Sequence, residues 1–166
     1  MKNIICAIVV GLFPYVPVIL LMGSIDLEVT LLGTAVAFLV ALAVCILNMV
    51  LALKNKESVK KQVFLAMLVK LIHIPAYIFF FMIGVGGAML VQFLAVTILI
   101  FLFDCVTIAL SGTLELTAVL RAKNEGVLKT GEALVCSVFS FVFCIDVIVA
   151  IGVYLCVRKR ADNTAE

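Results

Sequence analysis

Apolar residues run along this chain in long uninterrupted blocks, and charged ones are confined to the short stretches between them. No charge falls between Asn3 and Ile25, none between Val29 and Leu53, and none from Leu71 to Phe103. Later gaps run from Ala133 to Ile145 and from Val147 to Val157. A helix crosses a hydrocarbon core of about 30 Å with about 20 residues at a rise of about 1.5 Å each. The pattern therefore predicts five spans: Ile4–Gly23, Val29–Leu53, Val63–Val85, Ala88–Leu110 and Gly131–Val157. The blocks lack the alternation of barrel strands, and lipid offers a backbone no hydrogen-bond partner, so the spans are helices. The expected fold is all-α, a polytopic membrane helix bundle in which residues 1–166 form one transmembrane domain.

The connections are the segment Ser24–Glu28, the polar loop Lys54–Gln62, a tight turn at Gly84-Val85-Gly86-Gly87, and the stretch from Ser111 to Thr130. Helical pattern continues from Ala88 to Leu120, about 50 Å at helical rise and too long for one crossing. A bend at Ser111-Gly112 would let Thr113–Arg121 lie at the interface. Gly126 suits a helix C-cap and Thr130 an N-cap. The first span follows Lys2 as a signal peptide would. Its length, Pro14 and Pro17, and the lack of a small-residue cleavage site favour a retained span.

Basic residues in short loops face the cytoplasm. Lys54, Lys56, Lys60 and Lys61 form one such loop, and Arg121, Lys123 and Lys129 another. Two crossings separate these loops, which places the N-terminus inside a plasma membrane and, with five spans, the C-terminus outside. Arg158-Lys159-Arg160 stands against that count, because it would then be external.

Composition agrees with the pattern. Of 166 residues, 66% are hydrophobic and 13% charged, against roughly 45–50% and about 25% in soluble domains. The net charge of +2 and the lack of a basic, aromatic-interleaved block exclude nucleic acid as a partner. Six cysteines are scattered through the spans without a C-x-x-C pair, and there is one histidine, so neither a metal nor another cofactor is expected. No phosphate-binding loop, nucleophile elbow or zinc-protease motif occurs. An enzyme is not expected, except that an intramembrane lipid-acting one would need only His73 and nearby carboxylates.

Charged groups inside spans are costly and point to function. Lys70, His73 and Tyr77 share one face of the third span; Thr97, Asp104, Ser111 and Glu115 share one face of the fourth. Measured from a turn at Gly86, Lys70 and Asp104 lie at matching depth, which predicts an ion pair that either gates the bundle or only fixes its packing. His73 and Thr97 fall near the membrane middle on the same ruler, as do Asp146 and Pro14. Phe13-Pro14-Tyr15-Val16-Pro17 reads as a helix break whose freed carbonyls can bind a cation or solute, or as a kink repaired by neighbours. Asp146 projects away from Ser137, Ser140 and Cys144. It is either half of a proton-handling pair with His73 or a neutral group hydrogen-bonded across helices. Gly33, Ala37 and Ala41, continued by Cys45, form a small-residue seam with Asn48 near its end, suited to close helix packing or a subunit contact.

Two functions fit: a transporter- or channel-like protein for a small solute or ion with proton coupling, or an accessory subunit of a larger membrane complex. In either case the partners expected are the bilayer and a homo-oligomer or larger complex.

Overall fold

The computed structural model describes residues 2–23, 26–54, 58–89, 94–143 and 145–163. Cys144, Lys56 and the Ser24–Ile25 step lie outside the described residues. The elements are α1 (Lys2–Leu12), a 3-10 turn (Phe13–Tyr15), α2 (Val16–Met22), α3 (Leu27–Lys54), α4 (Val59–Ala88), α5 (Leu94–Asn124), α6 (Thr130–Phe139) and α7 (Ile145–Asn163). The fold is an all-α bundle, with no strand among the described residues. Four stretches are long and apolar enough to cross a membrane: Asn3–Leu20, Glu28–Val50, Val59–Ala88 and Leu94–Asn124.

Burial is inverted relative to a water-soluble protein. Leu32, Leu39, Ile78, Phe101 and Ile148 are exposed, whereas Lys70, His73, Thr107, Glu115, Ser140 and Asp146 are sealed inside. Such an apolar exterior around a polar interior fits a membrane protein.

The expected span over 131–157 is not one helix: α6 ends at Phe139 and α7 begins at Ile145. Two guanidinium nitrogens of Arg160, near the end of α7, bond the carboxylate of Glu132, in the first turn of α6, at 2.6 and 2.8 Å. At the other end of both helices, Lys70 Nζ meets the Ser140 carbonyl at 2.9 Å and Asp146 Oδ2 at 3.1 Å. Between these points the Tyr154 ring packs at a tilt against Phe64, centroids 5.6 Å apart. Thus α6 and α7 form an antiparallel hairpin whose two open ends lie on one face of the bundle. The ten residues of α6 reach about 15 Å, half of a hydrocarbon core. The hairpin also removes the objection raised by Arg158-Lys159-Arg160, which joins Lys60, Lys61, Arg121 and Lys129 on one basic face. The start of α1 and the end of α3 lie there too, since Asn3 and Asn48 line one crevice with Gln62 and Thr117.

The chain turns at Ser140–Phe143 without glycine or proline. Phe141 and Val142 donate to the carbonyls of Val138 and Phe139, three residues back. This tightens the end of α6 before Asp146 N–H bonds Val142 O and starts α7. Gly112 makes room for the tip: a Cβ there would lie 2.6 Å from the Phe141 ring.

The α4–α5 connection also differs from expectation. Gly84, Gly86 and Gly87 are inside α4, which runs to Ala88, so no turn forms at the predicted Gly84–Gly87 position. Helix α5 is one helix from Leu94 to Asn124, without a break at Ser111-Gly112. Its last third is buried through Leu114, Thr117, Ala118 and Arg121 rather than lying at the interface. It ends as a Schellman motif around Gly126 (φ 75°), with Gly126 N–H bonding Lys123 O and Val127 N–H bonding Ala122 O. Lys129, not Thr130, is the N-cap of α6, and its N–H is accepted by Glu132.

Candidate functional site: a buried ion cluster at the hairpin tip

Lys70 is the hub. Its ammonium lies 2.8 Å from Glu115 Oε2 and 3.1 Å from Asp146 Oδ2, and it donates to the Ser140 carbonyl. Helices α4 and α5 and the hairpin α6–α7 each supply a member, and all of the charged side chains are sealed. Burying an ion costs several kcal/mol unless it is paired and hydrogen-bonded. The carbonyl left open where α6 ends supplies part of that compensation, and backbone broken at membrane depth persists only where such partners exist.

The predicted Lys70–Asp104 pair is therefore replaced by Lys70–Glu115–Asp146. The reason lies in the turn. Helix α4 runs to Ala88 and α5 begins at Leu94, so the residue that faces Lys70 on α5 lies eleven positions further on, Glu115 in place of Asp104. Eleven residues are about three helical turns, so the face is unchanged and only the depth moves, by about 16 Å. Asp104 remains half-buried nearer the opposite face, its Oδ1 without a hydrogen-bond partner among the described residues. Thr97 likewise lies away from the middle, its hydroxyl 3.4 Å from the Gly84 carbonyl.

His73 does not pair with Asp146. Its Nε2 lies 3.0 Å from the Val10 carbonyl. Pro14, four residues on, has no N–H to offer that carbonyl, so the histidine donates in its place. Because a carbonyl can only accept, Nε2 carries the proton. The reverse stitch is made by Tyr15, whose hydroxyl donates to the Ile72 carbonyl in the turn before Pro75. The proline-rich segment is thus a 3-10 turn with its freed carbonyl occupied. Tyr77 stands edge-on to His73 at 5.8 Å and packs on Phe143 of the hairpin tip at 5.5 Å.

The small-residue seam is used within the molecule. A Cβ on Gly33 would meet Leu20 of α2 at 2.8 Å, and Ala41 and Cys45 are buried beside Cys6 and Phe13, with Ala37 packed against them. Asn48 belongs elsewhere, in a polar crevice opening on the basic face. Asn3, Asn48, Gln62 and Thr117 supply its polar walls, and about 20 Å³ of it is free, room for about one water. Gln62 is buried and neither of its amide atoms has a partner among the described residues. Ala66 and Leu114 form the crevice's apolar side, a single turn along α4 from Lys70 and one residue along α5 from Glu115.

Glu115, Ser140 and Gln62 are the members least visible in the sequence. Glu115 shares Asp104's face and needed only the correct turn. Ser140's carbonyl becomes available through a break that no glycine or proline announces. At the rim, outside the crossing helices, the Arg160 guanidinium and the Lys129 N–H hold the Glu132 carboxyl down to about 2. Among the described residues no group of three His, Cys, Asp or Glu side chains is arranged to hold a metal ion.

Comparison with known proteins finds no matching family model, no matching curated protein and no matching solved structure.

Proposed function

We propose that this chain is a small non-enzymatic, proton-coupled carrier of the plasma membrane, seen with its polar centre closed. The observation that carries the reading is the sealed Lys70–Glu115–Asp146 cluster at the tip of a half-depth hairpin. One ammonium is set against two carboxyl groups, so the cluster can take up a proton and keep an ion pair. Discontinuous helices at the midplane are a device of transporters, because they offer backbone groups to a solute. The polar crevice on the basic face suits an access route from that side, and His73 and Tyr15 hold the kinked α1 against α4 as the wall of the pathway. Under the positive-inside rule the basic face reads as cytoplasmic, with the start of α1 and the end of α7 on that side. Four crossings and a hairpin leave little room for a private pathway, so the working form is a homo-oligomer or part of a larger complex.

The test is proton movement into liposomes that contain the purified protein and a trapped pH-sensitive dye, driven by a potassium diffusion potential. The wild type should acidify the lumen, and Asp146→Asn should reduce the rate to that of empty liposomes. An unchanged rate in Asp146→Asn removes the cluster from the mechanism.

An accessory subunit is the second reading, favoured by the outer face of α3, which is apolar through Leu31, Leu32, Val36, Leu39, Ile46 and Val50. It would be supported by co-purification with one stoichiometric membrane partner and no proton flux by the chain alone.

A further inference from the structure

Where α4 leaves the basic face and α7 returns to it, Lys60, Lys61, Phe64, Tyr154 and Arg158 line an open cleft of about 360 Å³. We propose that this cleft binds the phosphate of an anionic phospholipid headgroup. The site is independent of the carrier reading.

Charge is the first argument. Cations from two different helices converge, Lys61 and Arg158 both exposed, and none of the lining residues is acidic. Like charges brought together repel, and an anion between them converts that repulsion into attraction. The arginine fork suits phosphate oxygens, and the Tyr154 hydroxyl can add a donor.

Depth is the second. Lys61 is nine residues from Lys70 along α4, about 14 Å at helical rise, which is the half-thickness of a hydrocarbon core. Its ammonium therefore stands at headgroup level when the ion cluster is at the midplane. The cleft wall is the third. The Phe64 and Tyr154 rings meet at 5.6 Å, and Phe64 is 40% exposed. An aromatic wall just below the cations suits the glycerol and upper acyl region of a lipid, where such rings concentrate. A free inorganic anion would leave that wall unused.

A lipid held here would bridge α4 to α7, the two helices that carry Lys70 and Asp146. The experiment is native mass spectrometry of the full chain released from micelles containing phosphatidylglycerol or phosphatidylcholine. Wild type should retain phosphatidylglycerol preferentially. At about fivefold per cation, the double variant Lys61→Gln/Arg158→Gln should lose about 25-fold in retention. Lys123→Gln, an exposed lysine elsewhere on the same face, should not change it, and an unaltered circular dichroism spectrum verifies that the double variant is folded. Equal retention of the two lipids, or unchanged retention in the double variant, overturns the proposal. A third arm adds millimolar inorganic phosphate: retention that survives it supports a lipid site, and full displacement shows an anion site without lipid preference and overturns the assignment.

Discussion

Replacing Lys70 by Met removes one charge and little volume, so the loss it causes measures the ion cluster. In the folded chain the ammonium lies 2.8 Å from Glu115, 3.1 Å from Asp146 and 2.9 Å from the Ser140 carbonyl, with its side chain fully buried. Without it two carboxyl groups face one another in a medium that solvates neither, and the carbonyl at the end of α6 loses its donor. Removing one partner of a buried pair costs about 3–5 kcal/mol, and an orphaned carbonyl adds about 1–3 kcal/mol. Lys70→Met should therefore destabilise by at least about 3 kcal/mol, against about 0–1 kcal/mol for an exposed pair. The assay is denaturant unfolding in micelles followed by far-ultraviolet circular dichroism. The triple variant Lys70→Met/Glu115→Gln/Asp146→Asn carries no charge in the cluster and should regain more than half of the loss, since desolvation of ions is then no longer required. A single variant within about 1 kcal/mol of wild type would refute the sealed cluster. A triple variant no better than the single would refute charge imbalance as the cause.

Gly112→Ala places a methyl group 2.6 Å from the Phe141 ring and should cost about 1–3 kcal/mol by overpacking; adding Phe141→Leu should recover part of it in the same unfolding assay. His73→Leu orphans the Val10 carbonyl and should cost about 1–3 kcal/mol. In a Pro14→Ala background, where residue 14 regains an N–H, the same substitution should cost measurably less. The Glu132–Arg160 pair closes the mouth of the hairpin, and its carboxyl is held down to about 2 from an ordinary 4.5. A depressed carboxyl contributes stability above its unfolded value, so hydrogen exchange at the end of α7 should be slow at neutral pH. Protection there, measured against the intrinsic exchange rate at each pH, should fall as pH drops from about 4.5 toward 2, and Glu132→Gln should remove that dependence.

The fold class and the first two crossings are legible from charge-free runs alone, because lipid tolerates few alternatives to an apolar helix. Faces are legible as well: Lys70 and the Asp104–Glu115 face do meet. Depth is not, because it depends on where a turn falls. Gly84-Val85-Gly86-Gly87 resembles a turn, yet inside an apolar helix those glycines keep their hydrogen bonds and the helix continues to Ala88. The hairpin tip is the harder case. Ser140-Phe141-Val142-Phe143 is only a weak helix former, and its turn is set by partners remote in sequence, the Lys70 ammonium and the space above Gly112. Arg158-Lys159-Arg160 was the legible sign, since three cations on the outer side conflict with an odd number of crossings. The His73–Val10 bond needed both the proline and its neighbour on another helix to be known.

The central claim is that the chain crosses four times and that its last segment enters and returns on one face. Reporter fusions test it directly, with a reporter active only in the cytoplasm, and a second active only outside it, joined in turn after Glu125 and after Glu166. The hairpin predicts the same compartment for both fusion points, and the basic face predicts that compartment to be the cytoplasm. Opposite compartments would mean that residues 131–157 cross the membrane, and would contradict the account.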